Sequence, residues 1–160
     1  MTMNNAQKAL LAVGLAIVLF LGLATGFHWT GVGAAGGVSV SDAVVQYYER
    51  MPDDIYKIPV PDLKAALDAG GKGLYIVDIR EHKDFVQGHI PGAHNIPFKE
   101  MGRRLNELPR NQRIIVYCYT GQTGGQTVAA LNIAGFDARS LNGGMNNGWA
   151  AANLPTEAGE

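Results

Sequence analysis

The stretch IIVYCYTGQTGGQT, residues 114–127, begins as an uninterrupted apolar run and breaks at Cys118 into glycines and hydroxyl side chains. A run of that length and composition reads as a buried strand. A second compact run, LYIVD at residues 74–78, stops at Asp78 and is followed by Arg80. Helical spacing lies around these runs. Leu63, Ala66 and Leu67 share one face of a helix expected from Asp62 to Ala69 and closed by Gly70 and Gly71. Phe98, Met101, Leu105 and Leu108 mark another, and Thr127 to Ala134 a third that ends at Gly135. Tyr56 to Val60 reads as a short strand, and Ser41 is placed to cap a short packing or linking helix running to about Met51. Strands alternating with helices at this rhythm predict a small α/β domain with a largely parallel sheet flanked by helices. In such sheets ligands lie beyond the carboxyl ends of the strands, so Asp78, Arg80 and Cys118 are expected at one edge.

Composition narrows the function. With 13 basic and 14 acidic residues the net charge is −1, and nothing suggests the basic excess that nucleic-acid binding requires. From Ala9 to Phe27 the sequence ALLAVGLAIVLFLGLATGF holds nineteen residues without a charge. As a helix it would be about 28 Å long, close to the thickness of a bilayer core. Lys8 precedes it and no charge follows until Asp42, so the positive-inside bias places the remainder outside the cytoplasm, periplasmic or extracellular. Two readings stand: an uncleaved signal anchor, which the length favours, and a signal peptide removed near Gly33, Ala34 and Ala35 with secretion of the rest. The organisation expected is therefore a transmembrane or signal segment at 1–27, a spacer with a short helix at 28–54, and a domain at 55–158.

Cys118 is the only cysteine, which excludes an intramolecular disulfide. Residues Tyr119, Thr120, Gly121, Gln122, Thr123 and Gly124 allow a tight curl whose backbone N–H groups point inward and bind an anion, with the positive end of the next helix behind them. Lowering a thiol pKa from about 8.5 to about 6.5 takes about 2.7 kcal/mol. A helix terminus supplies up to about 2 kcal/mol and a hydrogen bond to a charged group about 1.5–3. A reactive thiolate therefore needs no lysine or arginine in this loop.

The loop CYTGQT, the upstream VDIREHKDFVQGHIPGAHNIP and the downstream AGFDARSLNGGMNNGWAAANLP resemble the three signatures of single-domain rhodanese-like sulfurtransferases, in order and over about Tyr56 to Pro155. The resemblance implies a five-stranded parallel sheet between helices and a six-residue loop beginning at the nucleophile. It implies that Cys118 accepts a sulfane sulfur from thiosulfate, polysulfide or a persulfide and passes it to a thiol or cyanide. The amides from Tyr119 to Gly124 would cradle the terminal sulfur. Asp78 and Arg80 match the family's Asp-x-Arg and are expected to hold loops, His89 is similarly placed, and Gly143 with Gly144 form a turn beside the pocket. A small sulfur-containing substrate and a protein sulfur acceptor are the expected partners, with the membrane through the N-terminal helix. No cofactor or metal is expected, since His89 and His94 lack a third ligand. Many rhodanese loops carry basic residues after the cysteine, whereas this one has Tyr119 and Gln122, which counts against thiosulfate. A tyrosine-phosphatase-like activity is disfavoured because no arginine occurs between Cys118 and Arg139. The alternative to an enzyme is a membrane-tethered, non-catalytic sulfane-sulfur carrier or sensor.

Overall fold

The computed structural model describes residues 38–159. The apolar run Ala9–Phe27, and with it the expected membrane or signal helix, lies outside the described residues. Among the described residues no helix is long and apolar enough to cross a membrane.

Five strands form one parallel sheet: β1 (Lys57–Ile58), β2 (Leu74–Asp78), β3 (His94–Asn95), β4 (Arg113–Tyr117) and β5 (Ala138–Leu141), in the order β1-β5-β4-β2-β3. The two apolar runs are the central pair, with Asp78 opposite Tyr117. Both faces are covered, as a parallel sheet requires. Side chains alternate across a strand, and the packing follows that parity. Val77, Ile114, Val116 and Cys118 pack on one side with Val128 and Leu131 of helix α4 (Gln122–Ile133). Ile76, Ile115 and Tyr117 pack on the other with Leu63 of α2 (Val60–Asp68), Phe85 of α3 (His82–Phe85), and Met145 and Trp149 of a π-helical segment, Gly144–Ala150. Parity thus delivers Cys118 to the α4 face and Asp78, beside Tyr117, to the other.

The amino-terminal helix α1 (Val40–Glu49) is capped by Ser39, whose Oγ accepts from the Asp42 amide at 3.1 Å, rather than by Ser41 as expected. Ser41 lies inside the helix and its hydroxyl meets that of Ser39. The helix packs against α4, and Tyr47 stacks on Tyr56 with ring centroids 5.4 Å apart. Helix α2 starts at Val60, two residues before the expected Asp62, because Pro59 takes the cap position and Pro61 fits the first turn. That start shortens the expected Tyr56–Val60 strand to Lys57–Ile58.

The amphipathic helix expected from Phe98 to Leu108 does not form. In its place stand two 3₁₀ turns, Met101–Arg103 and Leu105–Glu107. Met101 and Leu108 do face the core, with Leu105 packed against it, but Phe98 is 41% exposed. Gly102 weakens a helix at its centre, and Pro109 forces Leu108 into an extended conformation (ψ 133°) that ends it.

Trp149 is buried, and its Nε1 donates to the Pro155 carbonyl at 2.8 Å. Trp149→Ala removes the largest side chain of its face and should cost about 3–5 kcal/mol. A loss of unfolding free energy in denaturant titration of less than about 1 kcal/mol would show that this face contributes little.

Candidate functional site

Cys118 follows the last residue of β4, and the connection to α4 is only Tyr119, Thr120 and Gly121. The sequence places the helix at Thr127; it starts five residues earlier, so Gln122, Thr123 and Gly124 form its first turn. Gly121 makes this possible, since it caps the helix at φ 96°, a left-handed conformation that glycine adopts without strain. Gly124 is close-packed for a different reason: a Cβ there would fall 2.8 Å from Ser140 Oγ and 3.7 Å from Cys118 Sγ. Two poor helix formers in that first turn, Thr123 and Gly124, made it resemble loop in the sequence.

The thiol sits at the amino terminus of α4. The Gly121 amide donates to Sγ at 3.1 Å and the Gly124 amide at 3.4 Å. The residue is only 2% exposed, and burial pushes the thiol pKa up. Hydrogen bonds from the Thr123 hydroxyl and from the amides of Gly124, Thr120 and Gly121 outweigh that, so the net shift is below the ordinary thiol value. All of these donors are neutral. Of the six residues after Cys118, Gly121 and Gly124 place their amides on the sulfur, and Thr120 and Thr123 join them in lowering its pKa. The structure assigns no such bond to Tyr119 or Gln122.

The orientation of the amides comes from a distant segment. Met145 N donates to the Cys118 carbonyl and Asn146 N to the Tyr119 carbonyl, each at 2.8 Å. In a planar trans peptide the N–H points opposite the C=O. Holding the Tyr119 carbonyl toward Asn146 therefore turns the Thr120 N–H away from that turn, and the next amide, Gly121, donates to the sulfur. Gly143 and Gly144 allow the approach, both at positive φ; a Cβ on Gly144 would fall 2.5 Å from the Cys118 carbonyl oxygen and 2.9 Å from the Gly121 nitrogen.

Asp78 and Arg80 do not reach the thiol. Arg80 grips Asp78 with Nε at 2.9 Å and Nη2 at 2.6 Å, and Nη2 also donates to the Gly88 carbonyl at 2.7 Å. Both residues are buried, so removing either partner leaves a desolvated charge. Burial opposes the charge on Arg80, but Asp78 more than restores it and the guanidinium pKa is raised. The Tyr117 pKa is raised first by burial and then by the Asp78 carboxylate, and its hydroxyl accepts from the Ile90 amide at 3.1 Å. His89 stacks on Phe85 with centroids 3.8 Å apart and its Nδ1 lies 3.1 Å from the Phe85 carbonyl; His94 stacks on Tyr75. Asp78, Tyr117, Phe85 and His89 build the wall on the far side of the sheet, whereas Tyr75 packs on the α4 face with Val77.

A family model described as a rhodanese-like domain matches residues 60–152. The chain belongs to the rhodanese-like domain family. Its domain is 32% identical over 93 residues to a sulfurtransferase of Allochromatium vinosum, covering 58% of this chain and 86% of that protein. It is 37% identical over 86 residues to an HTH-type transcriptional regulator of Mycobacterium tuberculosis, spanning 52% of this chain and 38% of the regulator. It is 32% identical over 82 residues to YrkF of Bacillus subtilis, a candidate sulfur carrier protein, spanning 51% of this chain and 44% of YrkF. The chain thus spans less than half the length of the last two. Among solved structures, the rhodanese-like domain of an Anabaena protein matches with a TM-score of 0.58 at 30% identity, over 64% of this chain and 79% of that one.

Gly144→Ala should push the Met145–Asn146 turn off the loop, cost about 1–3 kcal/mol and return the Cys118 pKa to the ordinary thiol range. The midpoint of the pH profile for Cys118 alkylation checks this. That midpoint reports the pKa even though burial slows the absolute rate, and an unchanged midpoint would show that the turn does not set the amides.

Proposed function

We propose that this rhodanese-like domain is a sulfurtransferase that carries sulfane sulfur as a persulfide on Cys118. The observation supporting this most directly is the pair of neutral amide donors, Gly121 and Gly124, on the sulfur at the start of α4. The Cys118 thiolate attacks the outer sulfur of a donor, the sulfur–sulfur bond of the donor breaks, and its remainder leaves with the electron pair. Cys118 becomes Cys–S–S⁻. An acceptor thiolate or cyanide then attacks the terminal sulfur and the Cys118 thiolate is regenerated. No net oxidant or reductant is consumed. The loop binds one negative charge before and after loading, so the same donors serve thiolate and persulfide.

Polysulfide or a small persulfide is favoured over thiosulfate as donor. The loop contributes no cation, and Arg80, whose guanidinium lies 6.0 Å from the Tyr119 ring centre, is committed to Asp78 and Gly88. A carrier that loads once and hands its sulfur to a protein partner is the second reading, favoured by the 2% exposure of Cys118 and by the likeness to YrkF. A membrane tether through residues 9–27, with the domain outside the cytoplasm, belongs to the same proposal and is supported by the uncharged apolar run alone.

Intact mass of the protein after exposure to polysulfide should rise by about 32 Da, the mass of one sulfur, and fall back on addition of cyanide. Cys118→Ser should show no gain. Thiosulfate should load at least several-fold more slowly than polysulfide, and multiple turnovers with a thiol acceptor would separate the enzyme from the carrier. No mass gain with any donor would end the persulfide reading.

A further inference from the structure

Tyr119 sends no hydrogen bond to the sulfur, yet it is held at both ends. Its carbonyl accepts from Asn146. Its side chain crosses to the opposite flank, where the phenol donates a short hydrogen bond to Asp84 Oδ2 and accepts from the Glu81 amide at 3.3 Å. Glu81 is the cap of α3 and Asp84 lies within it, so the phenol is fastened to the helix that follows the Asp78–Arg80 pair. The Arg80 guanidinium faces the ring. Tyr119 is 37% exposed, and little packing would be lost if the hydroxyl were removed.

From this geometry we propose that Tyr119 is a positioning residue of the sulfur-transfer loop and that its hydrogen bond to Asp84 is the latch that keeps the Gly121 amide, 3.1 Å from the sulfur, on Cys118. The inference rests on the persulfide reading of Cys118. Two restraints act on one residue: the backbone bond to Asn146 fixes the tilt of the 119–120 peptide, and the phenol bond to Asp84 fixes where along the mouth that peptide lies. With only three residues between Cys118 and α4, displacement of Tyr119 moves the Thr120 and Gly121 amides with it. The phenol stays protonated and able to donate, because burial and then Asp84 raise its pKa. The ionisable groups around Tyr119 are Asp84 from α3 and Arg80 with its partner Asp78 from the segment after β2; those that set the Cys118 pKa are all neutral.

The test is the pH profile of Cys118 alkylation by iodoacetamide, with polysulfide loading beside it, in the full chain and in Tyr119→Phe, Asp84→Asn and the double variant. Tyr75→Phe, which alters a ring stacked on His94, is the control. Tyr119→Phe is expected to raise the alkylation midpoint by about half a pH unit or more and to slow loading near pH 6.5 by about threefold to tenfold. Asp84→Asn, which keeps an amide oxygen as acceptor, should restore part of that loss relative to Tyr119→Phe, and the double variant should be no worse than Tyr119→Phe. Melting temperatures should stay within about two degrees of the parent, which separates positioning from damage. Profiles that superpose for parent and Tyr119→Phe, with the parent midpoint below that of a model thiol, would overturn the latch alone. A parent midpoint equal to the model thiol, with no sulfur loaded, would overturn the persulfide reading and the latch with it.

Discussion

A thiolate with almost no contact with water persists only where protein dipoles replace the solvent. At Cys118 burial works against the anion and neutral donors, the Gly121 and Gly124 amides among them, work for it. The balance is set by direction as much as by number, since an amide that misses the sulfur is both a lost donor and a buried polar group left without a partner. Much of the domain serves that aim. The parity of β4 puts the sulfur on the α4 side, Gly121 lets α4 begin at once, and the Met145 and Asn146 amides fix the two carbonyls that would otherwise be free to turn.

The Asp78–Arg80 pair supports the same edge from the opposite face. It closes the end of β2, reaches the Gly88 carbonyl, and stands beside Tyr117, the residue that immediately precedes Cys118. A buried ion pair is weak evidence for stability by itself. Here it fixes the strand ends: the Ile79 amide donates to the Tyr117 carbonyl and the Phe98 amide to the Ile79 carbonyl, carrying the ladder past both strands. The two faces of the sheet meet in Tyr119, whose backbone belongs to the thiol side and whose phenol belongs to α3.

The elements legible in the sequence are those decided by local pattern. LYIVD ends with β2 at Asp78 and IIVYC runs one residue past the end of β4 at Tyr117, so the place of Cys118 just beyond a strand terminus follows from the apolar run that stops there. What was hidden depends on contacts far apart in the chain. Thr123 and Gly124 have low helix propensity, so the first turn of α4 could be seen only with Ser140 and the sulfur packed against it. Phe98 to Leu108 has helical spacing, yet Gly102 and Pro109 divide it and the apolar side chains are buried from 3₁₀ turns instead. No periodicity could show that Asn146 and Asp84 hold Tyr119 from two sides.

The neutrality of the site bears on which sulfur donor fits the proposed cycle. A loop that stabilises thiolate and persulfide equally fills the reactive state without favouring the transition state over either. Selectivity must then come from the donor's approach. An additional negative charge brought to about 4 Å of a buried anion costs on the order of a few kcal/mol when no cation offsets it. The cation beside the loop is already held by a carboxylate, and the phenol of Tyr119 is tied to another. The mouth therefore offers nothing in return to thiosulfate, whose two charges sit close together, whereas a polysulfide spreads its two charges to the ends of a longer chain. In the proposed cycle a donor whose charge is single or spread over a longer chain avoids part of that cost, and the absence of lysine or arginine in the loop after Cys118 would then act as the selectivity element.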